Sequence, residues 1–194
     1  MKTEIRILDF IKTGKFGSVQ LGMTDKEVIK ILGQPENEGG SEDAFFFSYG
    51  WWEIHFLRDN QNKAFLIHND HLLNDCTNHD EMVEFENKHF KIESDFIKPF
   101  KHIRLRNVTS ILNEQKIHFK LIDEDYQPIL QLKNSVYMDF TDSEPISEKR
   151  EGVCWGLRMN QELQEGEKRI EKPENLILYS IGISNLKETM ANKV

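Results

Sequence analysis

The residues with most chemistry to offer lie mid-chain: His68-Asn69-Asp70-His71, then Asp75-Cys76, then His79-Asp80. Imidazole, thiolate and carboxylate are the donors that bind zinc and its neighbours. Zinc sites, however, recur at set spacings on fixed elements, and this tract matches none of the usual Cys/His patterns. The sequence therefore favours a polar connector over a metal centre. Cys76 and Cys154 raise a second chemistry, a thiolate nucleophile partnered by one of the seven histidines. A reactive thiol needs a positive or helix-terminal setting, yet Cys76 follows Asp75 and neither cysteine sits in a catalytic signature. There is no G-x-S-x-G elbow, phosphate-cradling glycine loop or dinucleotide fingerprint. Carboxylates are plentiful, but abundance identifies no acid/base pair. The expectation is a chain that is not an enzyme and carries no metal or cofactor.

Residues suited to binding a partner are easier to find. The tandem Trp51-Trp52 lies in a strand-like run, so its two rings point to opposite faces. One belongs to the core, and the other either lies on the outer face with Tyr49 or His55 or is covered by a second module of the chain. Exposed aromatics are enriched at interface hot spots. Glu36, Glu38, Glu42 and Asp43 precede the first aromatic strand. As a solvated loop they need no special account, but beside an aromatic anchor they would attract a cationic partner. Trp155 sits in a charged insertion, 142–175, which is either an extended hairpin resting Trp155 on the sheet or a loop using it to grip a partner. The partner-binding candidates are thus Glu36, Glu38, Glu42, Asp43, Tyr49, Trp51, His55 and Trp155.

The elements that must position these residues follow from periodicity. Ile5, Leu8 and Ile11 recur at helical steps over Glu4 to Ile11. In Thr24-Asp25-Lys26-Glu27 the threonine is an N-cap and Glu27 completes a capping box; Val28, Ile31 and Leu32 form the buried face, and Gly33 and Pro35 end the helix. A polar linker, Glu36 to Asp43, leads to strand-like runs at Ala44 to Tyr49, Trp51 to Leu57 and Ala64 to Ile67, with Trp52, Ile54 and Phe56 sharing one face. Met82, Phe85 and Phe90 could support another helix. Val108, Ile111 and Leu112 then mark a helical face, Ile117 to Ile122 starts a strand, and Ile129 to Leu132 and Val136 to Phe140 form a hairpin around Asn134-Ser135. Leu176 to Ile183 reads as a last strand. Helices followed by strands occur twice, which implies an α+β fold of two tandem modules, each a short helical layer on an antiparallel sheet. The boundaries are 1–75 for the first module, 76–94 for a connector, 95–185 for the second module with its insertion, and 186–194 for a tail.

Composition supports a folded chain. Its 194 residues include 13 Phe and 3 Trp, with 38% hydrophobic, enough to bury a core. With 25 Lys+Arg against 33 Asp+Glu the net charge is −8. That balance repels phosphate backbones, and without a basic stripe the term that drives nucleic-acid binding is missing, so the expectation is no nucleic-acid partner and charge that suits a basic partner instead. No apolar run approaches the roughly 20 residues of a membrane helix, and the charged start Met1 to Arg6 is unlike a signal peptide. The expectation is a cytoplasmic protein with reduced thiols that does not engage a membrane.

The segment Leu21-Gly22-Met23-Thr24 through Val28 to Gly33-Gln34-Pro35 resembles the LGMT-x-x-x-V-x-x-x-LG-x-P opening of small bacterial α+β modules. These share the β-lactamase-inhibitor-protein-like architecture also found in SmpA/OmlA lipoproteins. Tyr49-Gly50 and Trp52-Glu53-Ile54-His55-Phe56 look like the Y-G-x-L-E-x-x-F continuation in cytoplasmic homologues. Leu112-Asn113-Glu114-Gln115-Lys116-Ile117 and Ser135-Val136-Tyr137-Met138-Asp139-Phe140 are similar to their second half, with one strand glycine absent. The resemblance covers most of the chain apart from 76–95 and 142–175. It implies an immunity protein of a bacterial polymorphic or contact-dependent toxin system, binding a cognate toxin, for which a basic nuclease would best fit the charge. No contact residue carries over, because such inhibitors use variable surfaces. A regulatory or assembly adaptor using an exposed sheet face is the alternative.

Overall fold

The computed structural model of the chain describes residues 2–72, 83–93, 96, 103–124, 127–141 and 173–185. Thr3–Arg6 is a strand, β1, and Ile7–Thr13 a helix, α1. The expected single helix from Glu4 is therefore corrected. Ile5 enters a parallel pairing of β1 with Phe90–Glu93, β6, where it stands opposite Ile92. Phe90 is accordingly on a strand rather than a helix, while Met82 lies outside the described residues. Gly14 ends α1 at φ 70, a conformation glycine adopts without a Cβ penalty.

The second helix, α2 (Asp25–Leu32), forms as its caps predict. Thr24 Oγ1 accepts from the Glu27 amide at 3.3 Å, and Glu27 Oε2 accepts from the Thr24 amide at 2.9 Å. Val28 and Leu32 are buried, and Ile31 packs at the margin of the core. The polar linker is also corrected, because Asn37–Gly40 forms an edge strand, β2, antiparallel to Ala44–Tyr49, β3. A short apolar-poor stretch gives no periodic signal; here its backbone pairing to an aromatic neighbour makes it a strand.

The chain continues through Trp52–Leu57 (β4) and Lys63–Asn69 (β5). After β6 come helix α3 (Leu105–Glu114), then Phe119–Glu124 (β7), Gln127–Leu132 (β8), Val136–Thr141 (β9) and Ile177–Ser184 (β10). Eight strands form one sheet in the order β2-β3-β4-β5-β10-β9-β8-β7, with every neighbouring pair antiparallel. Each half of the chain contributes four consecutive strands, and the last strand of one half pairs with the last strand of the other. The fold is α+β.

One face of this sheet is the core. Trp52, Ile54 and Phe56 of β4 and Val136, Met138 and Phe140 of β9 point inward and are fully buried. They meet Val28 and Leu32 from α2, and Leu105, Val108 and Leu112 from α3. Trp52 is clamped between rings, its centroid 5.6 Å from Phe10 and 4.9 Å from Phe16. Burying a side chain of this class stabilises the fold by about 1.5–3 kcal/mol each, so the aromatic cluster fixes which face is inside. The Leu105 amide donates to the Leu176 carbonyl at 2.9 Å and the Leu178 amide to the Ile103 carbonyl at 2.8 Å, tying α3 to β10. No described helix is long and apolar enough to cross a membrane.

Candidate functional site

Alternation along the strands sends a second set of side chains to the other face. On β4, Glu53, His55 and Leu57 are half-buried while their neighbours are fully buried. The register then aligns one transverse row across five strands: Ser48, Glu53, His68, Gly182 and Tyr137. Beside it runs a second row of Phe46, His55, Leu66 and Ser184. The core beneath the helices does not include Phe46, Leu66 or Tyr137, and no described helix packs on this face.

At the centre of the face three polar groups converge. His55 Nε2 lies 2.8 Å from Glu53 Oε2 and 3.0 Å from His68 Nε2, and His68 Nε2 lies 3.4 Å from Glu53 Oε2. The side chains are 27% (Glu53), 22% (His55) and 14% (His68) exposed, shaded by Phe46 and Phe65 against His55. Hydrogen bonds from His55 and then His68 hold the Glu53 carboxyl down at about 2, against the opposing effect of burial. Such a set can share protons among its three atoms or bind a cation between them.

The placement depends on a bulge. Leu57 stands opposite Lys63 and Phe56 opposite Ala64, but His55 stands opposite Leu66, so Phe65 is an extra residue in β5. Without it Glu53 would face Ile67 and His68 would turn into the core, because a one-residue slip exchanges the faces of a strand. Gly182 shapes the other flank. A Cβ there would meet Tyr137 Oη at 2.7 Å and His68 Cβ at 2.8 Å, so glycine is what lets the Tyr137 ring lie beside His68. Burial, and then the charges of Asp139 and Asp70, push the Tyr137 hydroxyl up from its ordinary range and that of Tyr179 up to about 12.

The residues expected to bind a partner are dispersed. His55 belongs to the central cluster. Trp51 sits at the β3–β4 turn, 36% exposed, its ring 4.4 Å from that of His71, whose Nε2 is 3.1 Å from Asp70 Oδ1. Tyr49 is corrected to the core: it stands opposite Trp52, is fully buried, and donates its hydroxyl to the Gly33 carbonyl at 2.9 Å. Glu36, Glu38, Glu42 and Asp43 are exposed but strung along the β2–β3 edge rather than gathered. Glu36 Oε2 accepts from the Gly50 amide at 3.1 Å at one end, while Glu42 and Asp43 lie in the β2–β3 turn at the other. Trp155, Asp75, Cys76, His79, Asp80 and Cys154 lie outside the described residues.

Sequence reasoning met His68 in the mid-chain tract and His55 as a surface aromatic, and missed that Glu53 joins them. The signal available was Glu53-x-His55 on an alternating strand, which alone puts both on one face. The chain matches no protein-family model, no curated protein and no solved structure.

Proposed function

We propose that the chain is an immunity-type protein that binds and neutralises a cognate bacterial toxin by non-covalent complementarity in the cytoplasm, with no catalysis of its own. The observation that carries this reading is the sheet face that no described helix covers, where Phe46, Phe65, Leu66 and Tyr137 surround a polar centre while the described helices occupy the other side. A broad face mixing rigid aromatics with fixed polar groups is suited to a protein partner. The net charge of −8 and the exposed acidic β2–β3 edge favour a basic toxin, a nuclease by the same charge argument, through steering.

Two tandem units fit the same architecture. The central pairing is symmetric about His68 and Gly182, with Ile67 opposite Ile183 and Asn69 opposite Ile181. Each half gives four consecutive strands to the eight-stranded sheet, preceded by two helices in the first and by Leu105–Glu114 in the second, and in each the last strand holds one extra residue, Phe65 in β5 and Tyr179 in β10. Under that correspondence Glu53 opposite His68 is matched by Tyr137 opposite Gly182. We read the halves as units 1–75 and 95–185, whose union builds the face.

Coexpression with the product of a neighbouring toxin gene tests the function. Cells should survive, and the two proteins should copurify. Phe46→Arg and Tyr137→Arg on the face should abolish protection, whereas Leu121→Arg on edge strand β7, where Leu121 is already exposed, should not. Failure to bind any neighbouring gene product, or protection indifferent to the face substitutions, would sink the reading.

A further inference from the structure

We propose that Glu53, His55 and His68 form a binding site for a divalent transition ion of the zinc class on the open face of the sheet. The three donor atoms lie within 4.8 Å of one another. A triangle with sides of 2.8, 3.0 and 3.4 Å has a circumscribed radius of about 1.8 Å, so one point about 1 Å out of its plane stands about 2.05 Å from all three atoms, the length of Zn–N and Zn–O bonds. By distance, a single ion there reaches all three donor atoms, with the closest pair opening slightly toward tetrahedral spacing.

Proton chemistry serves the triangle less well. Each imidazole Nε2 presents either one N–H or one lone pair, and the carboxylate only accepts. With both nitrogens protonated, both donate to Glu53 but two like N–H dipoles stand 3.0 Å apart; with one protonated, one histidine–carboxylate side sets lone pair beside lone pair; with none, all three sides do. A single cation satisfies every side at once. Two imidazoles and a carboxylate are donors that suit zinc, with copper as a stronger-binding competitor.

The scaffold is rigid in the way a metal site requires. Glu53 and His55 share one strand two residues apart, and His68 stands directly opposite Glu53 on the next. Three protein donors leave coordination open toward the face, the arrangement of sites that bind a further ligand rather than closed structural ones. The assignment stands apart from the toxin-binding reading and does not need it.

The test uses the full, tag-free chain, stripped with chelator and titrated calorimetrically with zinc chloride. One saturable equivalent should bind, and bound zinc should raise the melting temperature. H55A and H68A should each weaken binding at least about tenfold, the lower end of what losing even an outer-shell partner costs. E53Q, which is nearly isosteric, covers the case in which a histidine variant fails to fold. His71→Ala, nearby but outside the cluster, should bind as the parent does. Absence of a saturable equivalent overturns the proposal. So does binding that survives H55A/H68A, or that disappears in C76S/C154S and so belongs to the thiols.

Discussion

Gly182→Ala probes the packing at the centre of the open face. The new Cβ would stand 2.7 Å from Tyr137 Oη, 2.8 Å from Tyr137 Cζ and 2.8 Å from His68 Cβ. All three fall well inside the roughly 3.5–4.0 Å at which carbon atoms attract. The Tyr137 ring can swing aside, but His68 Cβ is fixed to a backbone paired on both edges, with β4 and β10. Part of the strain therefore cannot relax. Inserting one methyl into packed surroundings costs about 1–3 kcal/mol, and the reduced freedom of alanine in the unfolded chain offsets about 0.4–1 kcal/mol. The expected net loss is about 1–2 kcal/mol. With a urea dependence of about 2 kcal/mol per molar, the unfolding midpoint should drop by about 0.5–1 M at an unchanged slope. Tryptophan fluorescence during urea unfolding reads this directly. Because Tyr137 supplies two of the three contacts, the same substitution in a Tyr137→Ala background should cost at least about 0.5 kcal/mol less. A variant as stable as the parent, or one with equal cost in both backgrounds, would refute the packing argument.

Thr24→Ala removes the oxygen that accepts from Glu27, and should cost about 1 kcal/mol in equilibrium unfolding while Thr24→Ser costs little; equal stability of the two variants would show that the capping box contributes nothing. Burial raises the hydroxyl pKa of Tyr49, Tyr137 and Tyr179, the last to about 12, so in the folded state these groups hold their protons more tightly than the ordinary value of about 10. Their contribution to stability is complete below pH 10 and is lost as pH rises above it, for Tyr179 as pH passes about 12. Phenolate absorbance should accordingly lag behind that of free tyrosine until the fold gives way. Titration of all tyrosines near pH 10 with the fold intact would contradict the burial.

Local chemistry made α2 legible to the residue, since Thr24, Glu27 and Gly33 state where it starts and stops. Alternation made Trp52, Ile54 and Phe56 legible as core, and Asn134-Ser135 marked the β8–β9 hairpin, where Ser135 takes φ 68. What failed was whatever long-range pairing decides. Ile5 follows a helical spacing yet belongs to a strand, because Ile92, far along the chain, is its partner. Asn37–Gly40 has no apolar pattern, and only β3 makes it a strand. Tyr49 belongs to the same alternation as Trp52, but which face is buried is settled by Phe10 and Phe16 arriving from outside the meander.

The candidate site was illegible for a sharper reason of the same kind. Counting back from the β4–β5 turn, where Leu57 meets Lys63, an unbroken hairpin would place His68 on the face opposite to Glu53 and His55. The bulge at Phe65 reverses that parity. Its position shows no proline or glycine and no break in composition, because Ala64-Phe65-Leu66-Ile67 is a plain apolar run. The run tolerates the extra residue because one face of the sheet is buried under the helices and no described helix covers the other, so Ala64 and Ile67 pack inward while Phe65 and Leu66 remain half-buried on the far side. A shared apolar character thus hides the residue that sets the register. The donors of the cluster are 15 and 13 positions from His68, Glu53 and His55 respectively, and neither separation carries meaning until that one residue is placed.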